Sequence, residues 1–429
     1  MKWLWSSIWL VLFSTTLPAQ DYLDALRPFM GMQGSSGAES GITPASTAPS
    51  TALLGNPANL TSSSQTYFGL GLSYDQTSST SIHNSQLSEP DNFSNFRLNN
   101  LTYLYAVPVF RGAWVWAVNL QPVVLLNGTQ TFAGTDTDNG AEFSYRESER
   151  SQGSIYALSA GTAVLWTERT SVGLAVSMLM GQNTYQSVRR ETDPLDNFFF
   201  TTYTDSSTTQ PTYRGFSLRA GLSTRLNAAL HLALSLELPA YISVSENSNS
   251  IEVETQDTGV SLTLSESHFT DLVYSLLGPW RAGLGAGFTA SNMEVSVNYV
   301  YHGFSHITMN SKLLNSTGGS LDDDVNAQVG AQLQDVHELA AGLSWSQGPL
   351  ATSLAARVYN HPRVVNLDMQ LRLDAGVEYA LNSDLILLFA YRNTQWGTNL
   401  DHSLASGTLR SVDVQNTLSL FQFGVKYIL

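Results

Sequence analysis

The sequence predicts an all-β fold, a transmembrane antiparallel β-barrel of about fourteen strands. Three observations predict it. Apolar side chains recur at every second position through most of the chain, the connections alternate between very short and long, and no segment can supply helices to cover the apolar faces. Composition agrees with a wall that has one greasy and one wet face. Only 13% of the 429 residues are charged, about half the usual share, while 43% are hydrophobic and Tyr and Trp number 18 and 9.

The same composition excludes several functions. Lys plus Arg is 20 against 35 Asp plus Glu, a net charge of −15, which cannot neutralise phosphates, so no nucleic acid is expected as a partner. Cysteine is absent, which removes zinc ribbons, iron–sulfur clusters, thiol catalysis and disulfide scaffolds. There is no Gly-x-Ser-x-Gly elbow, HExxH or P-loop, so the chain reads as a non-enzyme with no cofactor and no metal.

At the start, Lys2 precedes an apolar run from Trp3 to Phe13, and Leu17-Pro18-Ala19 offers a small residue for cleavage. That run is shorter than the roughly 20 residues a spanning helix needs, so residues 1–19 read as a signal peptide. Beyond it no uninterrupted apolar stretch reaches spanning length. Residues 20–64 are rich in Gly, Ala, Ser, Thr and Pro, with a short helix possible at 21–30. This composition cannot fold alone. It is either a linker or a segment packed inside something larger.

From Gln65 the alternation begins. In Tyr67 to Tyr74, Phe68, Leu70, Leu72 and Tyr74 share one face, and at the end Phe421, Phe423, Val425, Tyr427 and Leu429 do the same. Strands are expected near 65–76, 98–109, 113–126, 153–167, 171–187, 211–226, 230–245, 279–290, 293–304, 335–346, 350–360, 367–381, 385–396 and 416–429. Turns such as Phe110-Arg111-Gly112, Ser291-Asn292 and Asn382-Ser383-Asp384 alternate with long polar connections at 77–97, 127–152, 188–210, 246–278 and 305–334. Short turns on one side and long loops on the other characterise outer-membrane barrels. Tyr103, Tyr105, Trp166, Trp345, Tyr379, Tyr391 and Trp396 lie toward strand ends, where interfacial girdles belong.

If the apolar parity faces lipid, then Arg219, Glu237, Arg281, Glu294, Glu338, Arg357, Arg372, Asp374, Glu378, Arg392 and Lys426 face inward. Arg or Lys on the lipid face costs about 2–4 kcal/mol at mid-membrane. Two roles are open for Arg219, Arg281, Arg357, Arg372 and Arg392: a salt-bridged lining that holds other segments in place, or a site for a ligand carboxylate, which a guanidinium grips with two hydrogen bonds. His302 and His306 read as loop histidines, and Asp322 to Asp324 as a solvated charge run, with a bound divalent cation or bridged lipopolysaccharide as the sharper alternative.

Asn56-Pro57-Ala58, within Ala52 to Leu60, follows a Gly-rich stretch and precedes the first strand. In this layout the chain resembles the FadL/TodX-type hydrophobic-compound transporters of Gram-negative outer membranes, although Asn59 stands where a Gly usually follows the motif. The resemblance implies that residues 20–64 form a hatch inside the barrel of residues 65–429, with Asn56, Pro57 and Ala58 as the hatch motif. It implies outer-membrane transport of hydrophobic or amphipathic small molecules, long-chain fatty acids among them, by passive diffusion past the hatch. It also implies a kinked third strand that opens the wall laterally, and Pro122 stands where such a kink would form, with both Pro122 and Pro239 interrupting strands. The C-terminal Gln422-x-Gly424-x-x-Tyr427-x-Leu429 resembles the signal read by the barrel-assembly machinery, a partner during biogenesis alongside membrane lipid and lipopolysaccharide. A PorV-like barrel that binds secretion-system or surface proteins is the alternative function.

Overall fold

The computed structural model describes Leu26, Phe29 and residues 49–429, apart from 84–85, 88–89, 139–140, 312–319, 365–368 and 404–408. Residues 1–19 and most of the Gly-rich part of 20–64 therefore lie outside the described residues. Fourteen strands follow one another: β1 (Tyr67–His83), β2 (Asp91–Val107), β3 (Trp114–Leu125, resumed as Gly128–Asp138), β4 (Ala141–Leu165), β5 (Thr170–Thr192), β6 (Phe200–Arg225), β7 (Leu230–Glu237, resumed as Tyr241–Gln256) and β8 (Ser261–Leu277, resumed as Arg281–Ala290). Then come β9 (Met293–His302), β10 (Val336–Gln347), β11 (Leu350–Asn360), β12 (Met369–Ala380), β13 (Leu385–Ser403) and β14 (Leu409–Ile428). Each pairs antiparallel with the next, and β14 returns to β1 in a continuous register from Tyr67↔Ile428 to Ile82↔Asp413. The sheet closes into a barrel.

The two parities meet different surroundings, as the sequence pattern requires. Phe68, Leu70, Leu72 and Tyr74 of β1 stand exposed on the outer surface, whereas Ser73, Asp75, Thr77 and Ser79 between and beyond them are buried. Trp114, Trp116 and Val118, Leu232, Leu234 and Leu236, Leu284 and Phe288, and Val295 and Val297 continue this outward apolar coat. No helix among the described residues is long and apolar enough to cross a membrane.

The long connections expected as loops are mostly strand. β4 runs for 25 residues and β6 for 26, against 12, 11 and 12 for β10, β11 and β12. A tilted strand crosses a bilayer in about 9–11 residues, so β4 to β8 rise well beyond it on one side. These extensions escaped the alternation test because water bathes both faces there. Ser261 to Thr270 on β8, for instance, is exposed on nearly every residue. Thr and Val keep the backbone extended without an apolar stripe.

The connection after β9 holds a helix, α2 (Leu321–Gln332), that the sequence reading placed in a loop. Asp322, Asp323 and Asp324 occupy its first turn, where the positive end of the helix dipole favours them, and Asp322 accepts hydrogen bonds from the Ser311 backbone N–H and hydroxyl. Val325, Val329 and Leu333 face the lumen core with Phe29, Phe304, Ile307 and Met309.

The described end of the N-terminal segment is a short helix α1 (Pro49–Ala52) and a 3-10 turn (Pro57–Ser62) seated against the inner wall. Asn56 caps the turn, its Oδ1 accepting from the Ala58 N–H at 3.1 Å and its Nδ2 donating to the Leu222 carbonyl of β6 at 3.1 Å. Glycines make room for it. A Cβ at Gly221 would lie 1.9 Å from Asn56 Oδ1, and one at Gly173 would lie 2.4 Å from the Pro57 carbonyl carbon. Beside them, Ala117, Ala163 and Ala175 form a core with Ala52, Leu53 and Leu60. Gly221→Val therefore unseats the motif while the barrel stays closed. Limited proteolysis of the variant is expected to cut between residues 49 and 64, a site protected in the parent, with the heat-dependent gel shift of a folded barrel retained; equal protection of parent and variant would contradict the packing.

Candidate functional site: a plugged lumen and a break in the wall

Many of the inward charges, from Arg219 to Arg392, form one connected row. Arg219 of β6, Glu237 of β7 and Arg281 of β8 are opposite one another in register, and both arginines pair with Glu237, Arg219 at 2.5 Å and Arg281 at 3.4 Å. The row continues through His302 of β9, whose Nε2 is 3.6 Å from Glu338 of β10, and Arg357 of β11, 3.0 Å from the same carboxylate. It ends with Arg372 and Asp374 of β12 and Arg392 of β13, Asp374 accepting from both guanidinium groups at 2.9 and 2.5 Å. Eight consecutive strands thus contribute charge to one belt inside the barrel, with five arginines against three carboxylates in a chain of net charge −15.

The five sequence-selected arginines all lie in this belt, and the structure shows what engages them. Arg219 also donates to the Leu53 carbonyl at 2.9 Å, tying the wall to the N-terminal segment. Asn56, Pro57 and Ala58 are buried a few residues away. His302, read as a loop histidine, is instead buried in the belt. Its even spacing from Val300 and Asn298 on β9 was the available signal.

Part of the belt lines a cavity of about 380 Å³, within the usual range for small-molecule sites. Arg357, Arg372 and Arg392 line it together with the apolar Phe29, Leu126 and Phe304. Trp396, expected in an interfacial girdle, lines this cavity, because it shares the inward parity of Arg392 and Thr394 on β13. Among the described residues no group of three or more His, Asp or Glu could hold a metal ion.

Beside the cavity the wall changes construction. β2 pairs with β3 only from Leu101↔Leu120 to Val107↔Trp114. Past Leu120, β3 keeps its ladder to β4, with a bulge between Pro122 and Val124, but its outer segment leaves β2 and crosses the lumen side of β1. There Asn127 donates to Asp75 Oδ2 at 3.2 Å, Ser81 donates to the Thr131 carbonyl at 2.9 Å, and Phe132 packs on Val414. Pro122 lacks the N–H that a two-sided ladder needs, so the departure begins where the chemistry permits it. Side chains bridge the seam instead: Tyr156 of β4 donates its hydroxyl to the Leu98 carbonyl of β2 at 3.2 Å, and Arg150 lies 5.8 Å from the Phe93 ring. Pro239 likewise interrupts β7, between Glu237 and Tyr241.

On the tall side, beyond the bilayer, Glu147 of β4 faces Arg189 of β5, which faces Asp205 of β6. Burial, reinforced by Glu149 and Asp205 and only partly offset by Arg189, pushes the Glu147 carboxyl up to about 8. A carboxyl raised on folding binds its proton more tightly in the folded sheet. The stability it confers is complete below the ordinary carboxylate range and declines as pH rises toward 8. Hydrogen exchange of β4 and β5 amides near Glu147 is expected to show falling protection between pH 5 and 8, and Glu147→Gln to flatten that slope; an unchanged slope in the variant would contradict the assignment. In the belt, Asp374→Asn leaves Arg372 and Arg392 facing each other without their shared carboxylate. Removing one partner of a buried ion pair costs about 3–5 kcal/mol. The temperature of the heat-dependent gel shift is expected to fall clearly for this variant and hardly at all for an exposed control such as Asp384→Asn.

A closed fourteen-strand antiparallel barrel, with residues 49–62 packed on its inner wall, has the architecture of FadL-type barrels. Residues 41–338 match the protein family described as BamG, more than half of the chain, and the chain belongs to that family. Among solved structures it is similar to the Pseudomonas putida toluene transporter TodX, with a TM-score of 0.60 at 12% identity over 94% of this chain and 99% of that one. A Pseudomonas aeruginosa FadL homologue gives 0.59 at 10% identity over 92% and 99%, and the Ralstonia pickettii toluene transporter TbuX gives 0.55 at 12% over 93% and 98%. These likenesses establish the fold. Comparison with curated proteins finds no match.

Proposed function

We propose that this protein is an outer-membrane channel of a Gram-negative bacterium that admits hydrophobic or amphipathic small molecules by passive diffusion. In this reading residues 1–19 are a signal peptide, 20–64 the hatch and 65–429 the barrel. The observation that carries it is the pairing of a mixed apolar and arginine-lined cavity with a wall whose β2–β3 ladder stops at Leu120. A solute captured among the tall hairpins settles in the cavity and leaves laterally beside Pro122 into the membrane. The toluene-transporter titles of the structural neighbours support this class of cargo. Long-chain fatty acids belong to it as well, with Arg357, Arg372 and Arg392 as the groups that meet a carboxylate, in competition with Glu338 and Asp374. Membrane lipid and lipopolysaccharide surround the barrel, and the barrel-assembly machinery inserts it.

A second reading, a barrel that binds other proteins, is favoured by the β7–β8 extension. Its residues 241–277 carry six carboxylates and no Lys or Arg, and Val260, Leu262 and Leu264 are exposed at its tip. Membership of the BamG family is compatible with this reading.

Uptake of labelled toluene and oleate separates the two. A deletion strain is expected to take both up more slowly than the complemented strain. The absence of cysteine allows a single Leu98→Cys at the seam to be alkylated without background, and a bulky maleimide there is expected to reduce uptake several-fold, while the same label at Leu284→Cys on the far wall does not. Equal uptake with and without the protein overturns the channel and leaves the protein-binding reading.

A further inference from the structure

Arg97 of β2 was not among the arginines selected from sequence, and it belongs to no part of the belt. It lies opposite Ser73 on the inward parity of β2, within the stretch Asp91 to Asn100 whose outer edge has no strand partner among the described residues. Its side chain is 6% exposed, and that of Asp75, whose Oδ1 is 3.1 Å from Arg97 Nη1, is 1% exposed. Asp75 Oδ2 accepts from Asn127, and Asp75 and Asn127 both line the cavity. Tyr156, whose hydroxyl spans the seam to Leu98, lies within electrostatic range of Arg97. Arg97 therefore sits directly behind the cavity-lining Asp75, on the stretch of β2 whose outer edge has no strand partner among the described residues.

Two features of this arginine stand out chemically. Its Nε and Nη2 are buried without a hydrogen-bond partner among the described residues. A buried guanidinium donor left unmade is costly, so this position is complete only when an acceptor meets it. The charge of Arg97 is already balanced by Asp75. A second anion placed here would sit beside Asp75 in a medium of low dielectric, where like charges repel strongly. What the position lacks is an acceptor oxygen, and what it already has is a counter-charge.

We infer that Arg97 anchors the neutral oxygen head of an amphipathic molecule, a ketone, ester or hydroxyl group, at the inner rim of the wall opening. The inference rests on the transport reading and narrows its cargo: the cavity receives apolar and acidic compounds, and the port beside Pro122 favours neutral oxygenated ones. The apolar part of such a molecule lies along Leu125 and Leu126, which line the cavity beside Asn127. Tyr156, reaching over from β4, is the group that the departing molecule must displace.

The test uses three probes of similar shape, toluene, acetophenone and benzoate, titrated calorimetrically into the full-length protein in lipid nanodiscs. The parent is expected to bind acetophenone more tightly than toluene. Arg97→Met is expected to weaken acetophenone about tenfold and to leave toluene within twofold, the size of one hydrogen bond from a charged donor. Arg97→Lys preserves the charge facing Asp75 but lacks the Nε donor, so it keeps the fold and is expected to show the same selective loss. Asp75→Asn removes the counter-charge and is expected to improve benzoate binding. If toluene binds but acetophenone is indifferent to both Arg97 variants, or both probes weaken together, the inference fails and the channel reading stands. If the parent binds none of the three, both fail.

Discussion

A charge on a barrel strand has only one tolerable side. Lipid admits neither an arginine nor an unpaired backbone group, so each inward residue must find its partner across the lumen wall, and each strand must find two neighbours. Almost everything in this protein follows from those demands. The belt from Arg219 to Arg392 satisfies the first by distributing five guanidinium groups over three carboxylates and the Leu53 carbonyl. The ring of pairings from β1 to β14 satisfies the second, and where β3 leaves β2 past Leu120 the seam is bridged by Tyr156 and Arg150.

The N-terminal segment and the belt depend on each other. Residues 49–62 have too little apolar surface to fold alone, yet Asn56 caps its turn inside a recess floored by Gly173 and Gly221. Arg219 joins that recess to Glu237 and so to the rest of the row. From the other end, α2 brings Val325, Val329 and Leu333 against Phe29 and Phe304. The turn at 57–62 and α2 both pack inside the barrel, and a cavity of about 380 Å³ is lined by Phe29, Phe304 and the belt arginines Arg357, Arg372 and Arg392. This arrangement suits small solutes that move by displacing side chains.

Much of this was legible in the chain. Alternation located all fourteen strands because inward and outward surroundings differ, and the same parity put the five arginines in one belt. Legibility failed where that difference vanishes. The tall extensions of β4 to β8 meet water on both faces, so Ser261 to Thr270 carries no stripe. The helix α2 was hidden by its three aspartates, although Val325, Val329 and Leu333 recur at the spacing of a helical face. Arg97 was overlooked because its importance lies in a missing neighbour, a property of the ladder between β2 and β3 that no local pattern reports. His302 and Trp396 were assigned by their position near strand ends, when parity already pointed both inward.

If belt, residues 49–62 and α2 close the lumen to water, solutes pass by the wall and ions do not pass at all. Conductance of the purified protein in a planar bilayer bathed in potassium chloride tests this directly. A filled lumen predicts no resolvable ohmic steps from the parent. Stable, salt-proportional steps like those of a general diffusion porin would show a continuous water channel and contradict the account.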